Sequence, residues 1–112
     1  MHIQHTDKQE VSILHLTGKI MGGPDASLLH DKLHEIIERG RRNVVIDLAK
    51  VDWMNSTGLG ILISSYTTLR NNQGELKLAN VTDKIQSLLT ITKLVSVFDA
   101  YDSVDDAVGA FK

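Results

Sequence analysis

The chain of 112 residues is 42% hydrophobic and 23% charged, with a formal net charge of −2. Those values suit one globular domain with its own core and exclude a disordered chain. Cysteine is absent, which excludes disulfide and thiolate chemistry, and the basic residues are scattered apart from Arg39, Arg41 and Arg42, which excludes a nucleic-acid footprint.

Ile3 to His5 is expected to form a short strand. The polar turn Thr6 to Glu10 joins it to a second strand, Val11-Ser12-Ile13-Leu14-His15-Leu16, stopped by Thr17-Gly18. Gly22-Gly23-Pro24-Asp25 has the form of a helix start, because proline fits the first helical position and aspartate its positive end. Leu29, Leu33, Ile36 and Ile37 then recur at helical spacing up to Gly40, a C-terminal glycine. Asn43 to Leu48 is a nearly continuous apolar strand, suited to a buried central position. A second helix opens near Ser56, with Leu59, Leu62, Ile63, Tyr66 and Leu69 on its core face, and ends in the turn Asn71-Asn72-Gln73-Gly74. Glu75 to Asn80 alternates as a strand with Leu76 and Leu78 inward, and Thr82 caps a short helix containing Ile85, Leu88 and Leu89. Leu94 to Phe98 reads as the last strand. Ser103 caps a final helix through Val104, Ala107, Val108 and Phe111, with Asp105 and Asp106 in its first turn.

Strands alternating with helices define an α/β fold, and most crossovers are long enough to join parallel neighbours. No repeat, linker or low-complexity segment interrupts the chain, so residues 1–112 are expected to form a single domain. No apolar run reaches the roughly 20 residues that cross a bilayer, and no secretory signal opens the chain. A cytoplasmic protein without a membrane partner is expected.

The densest functional signal is Val51-Asp52-Trp53-Met54-Asn55-Ser56-Thr57-Gly58-Leu59-Gly60, where a strand gives way to a helix and a turn presents two hydroxyls. The first amides of a helix lack internal partners and its dipole is positive there, which suits a side-chain oxygen and a phosphoryl group alike. Asn55 and Ser56 also fit an ordinary N-cap. One cap needs one residue, however, and each of Gly58 and Gly60 costs about 0.5–1 kcal/mol relative to alanine inside a helix. A helix start so bare suits close approach by another molecule. On the far face of the helix Ile61, Ser64, Ser65 and Thr68 are uncharged and mostly small, where solvent normally selects Lys and Glu. That face is expected to join the Asn55–Gly58 turn as a partner surface.

Enzymatic patterns do not form. Gly58-Leu59-Gly60 has Ile63 where a dinucleotide fingerprint needs its third glycine, and Met54 stands at the first glycine of a G-x-S-x-G elbow around Ser56. His30 and His34 sit four apart, but Asp31 and Glu35 complete no recognised metal pattern, so both histidines are expected to be solvated, with no metal and no cofactor. Trp53 is expected to anchor the core or the turn.

Leu16-Thr17-Gly18 at the end of the early strand, Val44-Val45-Ile46-Asp47-Leu48 as the central strand and Met54-Asn55-Ser56-Thr57-Gly58-Leu59-Gly60 at the turn together resemble the STAS domain. The match is to its single-domain bacterial form, the anti-sigma factor antagonist, and it covers essentially the whole chain. The resemblance implies a small mixed sheet of four to five strands with about four helices packed mainly on one side. It also implies partner switching without catalysis: the protein binds an anti-sigma factor that is also a serine kinase and so releases a sigma factor. Phosphorylation ends that binding, and a serine phosphatase restores it. By position the acceptor is Ser56, with Thr57 as second candidate. Asn55 stands where the family commonly has aspartate, and Met21 where it often has an acidic residue. The alternative is a STAS scaffold or sensor subunit that binds a protein or small ligand without phosphorylation.

Overall fold

Five strands and four helices alternate in a computed structural model that describes residues 1–111; the expected domain runs on to Lys112, which lies outside the described residues. In chain order they are β1 (His2–Lys8), β2 (Val11–Ile20), α1 (Pro24–Glu38), β3 (Asn43–Met54), α2 (Ser56–Asn71), β4 (Glu75–Ala79), α3 (Asp83–Ile91), β5 (Asp99–Tyr101) and α4 (Val104–Gly109). The strands form one mixed sheet in the order β1-β2-β3-β4-β5. β1 runs antiparallel to β2 through the tight turn at Gln9-Glu10, and the remaining pairs are parallel.

Strand alternation divides the apolar residues between two faces. Leu14, Leu16 and Ile20 of β2 and Val44, Ile46 and Leu48 of β3 meet Leu29, Leu33 and Ile36 of α1, Leu59, Leu62 and Leu69 of α2, and Ile85 and Leu89 of α3 in the main core. On the other face Val11, Ile13, Val45 and Ala79 are covered by Ala107 and Val108 of α4. The expected α/β class, with helices mainly on one side, is therefore observed. α4 covers only one end of its face. The uncovered end carries the polar residues Gln4, Thr6, His15, Thr17, Asp47 and Lys50.

Several element ends differ from expectation. β1 includes Thr6 to Lys8, which the sequence assigns to a turn, because all three pair with β2. β2 does not stop at Thr17-Gly18 and β3 does not stop at Leu48. The two strands continue side by side to Ile20 and Met54, with register irregularities between His15 and Thr17 and between Gly18 and Lys19. The extension is stabilised by burial of Ile20 and Met54 at its far end. The last strand is Asp99–Tyr101, not Leu94–Phe98. After α3 the chain turns at Lys93 (φ 62°) and again where the Val97 amide donates to the Leu94 carbonyl (3.0 Å). Phe98 is buried from this loop, edge-on to Tyr66 with ring centroids 5.7 Å apart. Phe111 lies just beyond the end of α4.

Candidate functional site

β3 delivers the chain to the start of α2, where Asn55 adopts an extended backbone and its side chain accepts a hydrogen bond from the Gly58 amide (2.8 Å). This is the N-cap, a contribution of about 1 kcal/mol by the usual cost of removing such a residue. The other end of the Asn55 side chain donates to the Met21 carbonyl (3.4 Å), tying the cap to the loop between β2 and α1. Ser56 is the first helical residue and is exposed, as is Thr57. Because Asn55 does the capping, the Ser56 hydroxyl is free of that structural task. No acidic residue occupies the first turn of α2, so the positive end of its dipole is not neutralised from within the helix.

The two glycines that follow have different reasons. A Cβ on Gly58 would lie 2.0 Å from the Ile20 carbonyl oxygen and 2.8 Å from its carbon. Gly58 is thus the point where α2 crosses the end of β2 at backbone distance. Gly60 has open space around the corresponding position. The β2–α1 loop closes over the same region: a Cβ on Gly22, whose φ is 107°, would come within 2.7 Å of the Thr57 methyl carbon.

The expected partner surface is only partly accessible. Gly58, Ile61 and Ser65 are buried, which corrects the expectation that they face outward. A helical wheel drawn against the sheet alone assigns Ile61 and Ser65 to solvent, whereas α1 packs beside α2 and covers them. The Ser65 hydroxyl is turned inward, donating to the Ile61 carbonyl (2.9 Å). Ser64 is exposed and Thr68 half-buried. Both line an open cleft of about 410 Å3 between the two helices, facing Ala26, Ser27 and His30 of α1. The small residues of α2 therefore serve close helix packing first and leave a shallow outer cleft second.

Trp53 is not a core anchor, since 47% of it is exposed beside the site. With Leu88 and Ile91 of α3 it borders an apolar groove at the end of β3. His30 and His34 are exposed, as expected of solvated side chains, with their rings 4.2 Å apart. Strand periodicity gives no sign of a further contact: His15 Nδ1 lies 2.7 Å from Asp47 Oδ2, across the β2–β3 pair. The only signal in the sequence is an acidic residue inside the apolar run Val44 to Leu48.

Residues 2–107 match the family model described as STAS domain. BtrV of Bordetella bronchiseptica, assigned as an anti-sigma factor antagonist, is 28% identical over 106 residues, 95% of this chain and 91% of that protein. The anti-sigma-B factor antagonist of Bacillus subtilis is 34% identical over 74 residues, 66% of this chain and 67% of its own length. Among solved structures, the anti-sigma factor antagonist SpoIIAA in its unphosphorylated form superposes with a TM-score of 0.81 at 14% identity, covering 98% of this chain and 96% of that one. SpoIIAA of Bacillus has also been solved in a phosphorylated form, with a TM-score of 0.76 at 15% identity, covering 99% of this chain and all of that one. At such identities the likeness is one of fold.

Proposed function

The chain belongs to the STAS domain family, and from that premise we propose that it is an anti-sigma factor antagonist whose docking is governed by Ser56. The unmodified protein binds an anti-sigma factor that is also a serine kinase, and that binding releases a sigma factor. Phosphorylation of Ser56 ends the interaction and a serine phosphatase restores it. The observation that carries this reading is the exposed Ser56 hydroxyl at the first position of α2, relieved of capping by Asn55. The relatives named as anti-sigma factor antagonists support the partner class. A phosphoryl group there would add about −1.5 to −2 charge at the positive end of the helix, where the fold tolerates it and a docked partner does not. Thr57 is the second candidate, but its methyl group is packed toward Gly22. Mass spectrometry of the protein purified from its own cells should find phosphate on the peptide containing Ser56, removable by a serine phosphatase. A peptide without phosphate under every growth condition would favour the scaffold or sensor reading.

The docking surface in this reading is the turn Asn55-Ser56-Thr57 with the accessible rim of the α1–α2 cleft, Ser64 and Thr68. Ser64→Arg should weaken binding of the anti-sigma partner by at least about tenfold, because a long cation would project into the interface. The same change should leave stability within about 0.5 kcal/mol, as an exposed substitution away from the core. Titration of the variant against the partner, beside a denaturant melt, separates the two. Wild-type affinity in Ser64→Arg would place the interface off this cleft.

A further inference from the structure

β4 pairs with only part of its longer neighbour. It reaches residues 43–47 of β3, and the pairing ends at Asp47 with Ala79. Residues 50–54 of β3 continue beside β2, with Lys50 opposite Thr17, Val51 opposite Gly18, Trp53 opposite Lys19 and Met54 opposite Ile20. Among the described residues no strand pairs with this stretch on its other side, and no helix or loop gives it a backbone hydrogen bond there. Successive residues of a strand turn their amide and carbonyl groups to opposite edges, so part of this stretch presents backbone donors and acceptors along an open edge. Such groups need water or a partner.

At the end of this stretch lies the apolar groove, about 370 Å3 in volume, that α3 borders. Trp53 and Met54 line it from β3, and Leu88 and Ile91 from α3. Ile91 is 78% exposed and Trp53 is half-exposed, so this lining faces solvent. Asp52 and Lys84 line the same groove with opposite charges, and neither forms an ion pair among the described residues. An open strand edge beside an apolar groove walled by a helix is suited to strand addition. The main chain of an extended peptide bonds the edge, and its alternate side chains enter the groove. The groove ends at Met54, next to the Asn55 cap and Ser56, so one partner can cover both.

We propose that an extended segment of the anti-sigma partner adds as a strand to the open edge of β3, an inference that rests on the docking role assigned to Ser56 above. The segment is apolar at alternate positions, which fill the groove between Trp53 and Ile91. It carries an acidic residue toward Lys84 and a basic one toward Asp52.

The test uses the full chain and the purified anti-sigma factor of the same organism, with amide hydrogen exchange of this protein read residue by residue. Binding should slow exchange by at least about tenfold at those amides of residues 50–54 that exchange fast in the free protein, because they gain hydrogen bonds. Trp53 is the only tryptophan, so fluorotryptophan gives this chain a single fluorine resonance, which should shift on binding. Ile91→Glu should weaken binding at least about tenfold, since a carboxylate would have to enter the apolar groove, while Ile91→Leu should bind as the wild type does. Ile91 is exposed, so both variants should stay folded, which a urea melt checks. Wild-type affinity in Ile91→Glu, or binding without slowed amides in residues 50–54, would overturn the strand addition and leave the Ser56 reading standing. No binding by the unmodified wild type would overturn both. Slowed exchange that appears without the partner and grows with protein concentration would assign the edge to a second copy of this chain, which also overturns the proposal.

Discussion

Gly58→Ala is expected to destabilise the protein by more than about 3 kcal/mol, beyond the usual range for a single added methyl group. Two effects oppose each other at this position. Alanine improves the intrinsic helix propensity by about 0.5–1 kcal/mol. Against that, its Cβ would stand 2.0 Å from the Ile20 carbonyl oxygen, 2.8 Å from the carbonyl carbon and 3.0 Å from Met54 Cγ. The first two atoms are backbone of β2, and Ile20 is pinned by its pairing with Met54 of β3. Neither can move by an ångström without separating α2 from the sheet, so the steric term wins. Gly60→Ala is the control: its Cβ meets open space, so only the propensity gain of about 0.5–1 kcal/mol remains. Urea melts of the two variants beside the wild type check both signs. Wild-type stability in Gly58→Ala would mean that α2 does not cross β2 at backbone distance.

The second large effect concerns docking. Ser56→Asp should bind the anti-sigma partner at least about tenfold more weakly than the wild type, and Ser56→Ala about as well as the wild type. An acidic side chain at the first position of α2 fills a first turn that contains none, so the folded state gains about 0.3–1 kcal/mol. A docking partner must strip water from that charge. Unless it supplies a cation, a buried unpaired charge costs several kcal/mol, and each 1.4 kcal/mol is tenfold in affinity. Calorimetric titration of both variants, with melting temperatures in parallel, checks the sign of both effects. A large loss of stability in Ser56→Asp would mean that Ser56 is a structural element of the helix start.

Apolar periodicity made the central strand β3, the core stripes of α1 and α2 and the caps Thr82 and Ser103 legible from residues alone, because those signals are local. Element ends depended on partners that no local window contains. β2 and β3 run on to Ile20 and Met54 because each supplies the other's hydrogen bonds and both bury an apolar residue there. Leu94 to Phe98 is as apolar as a strand, yet β5 forms later, where Asp99 to Tyr101 pair with Lys77 to Ala79. At the site, the exposed hydroxyl and its neighbouring cap could be read from the turn, because the residue types and the strand-to-helix change sit next to each other. Which glycine meets backbone and which meets open space could not, since the answer lies in Ile20, some forty residues away. The burial of Ile61 and Ser65 was hidden for the same reason: it comes from α1, not from the sheet that sets the helical stripe. His15 and Asp47 became neighbours only once the parallel register of β2 and β3 was set.

The most direct measurement is a calorimetric titration of the anti-sigma partner against two preparations of this protein, one unmodified and one stoichiometrically phosphorylated on Ser56, each with its melting temperature. The account predicts at least a tenfold loss of affinity on phosphorylation with an unchanged or slightly raised melting temperature. Equal affinities for the two preparations would contradict it.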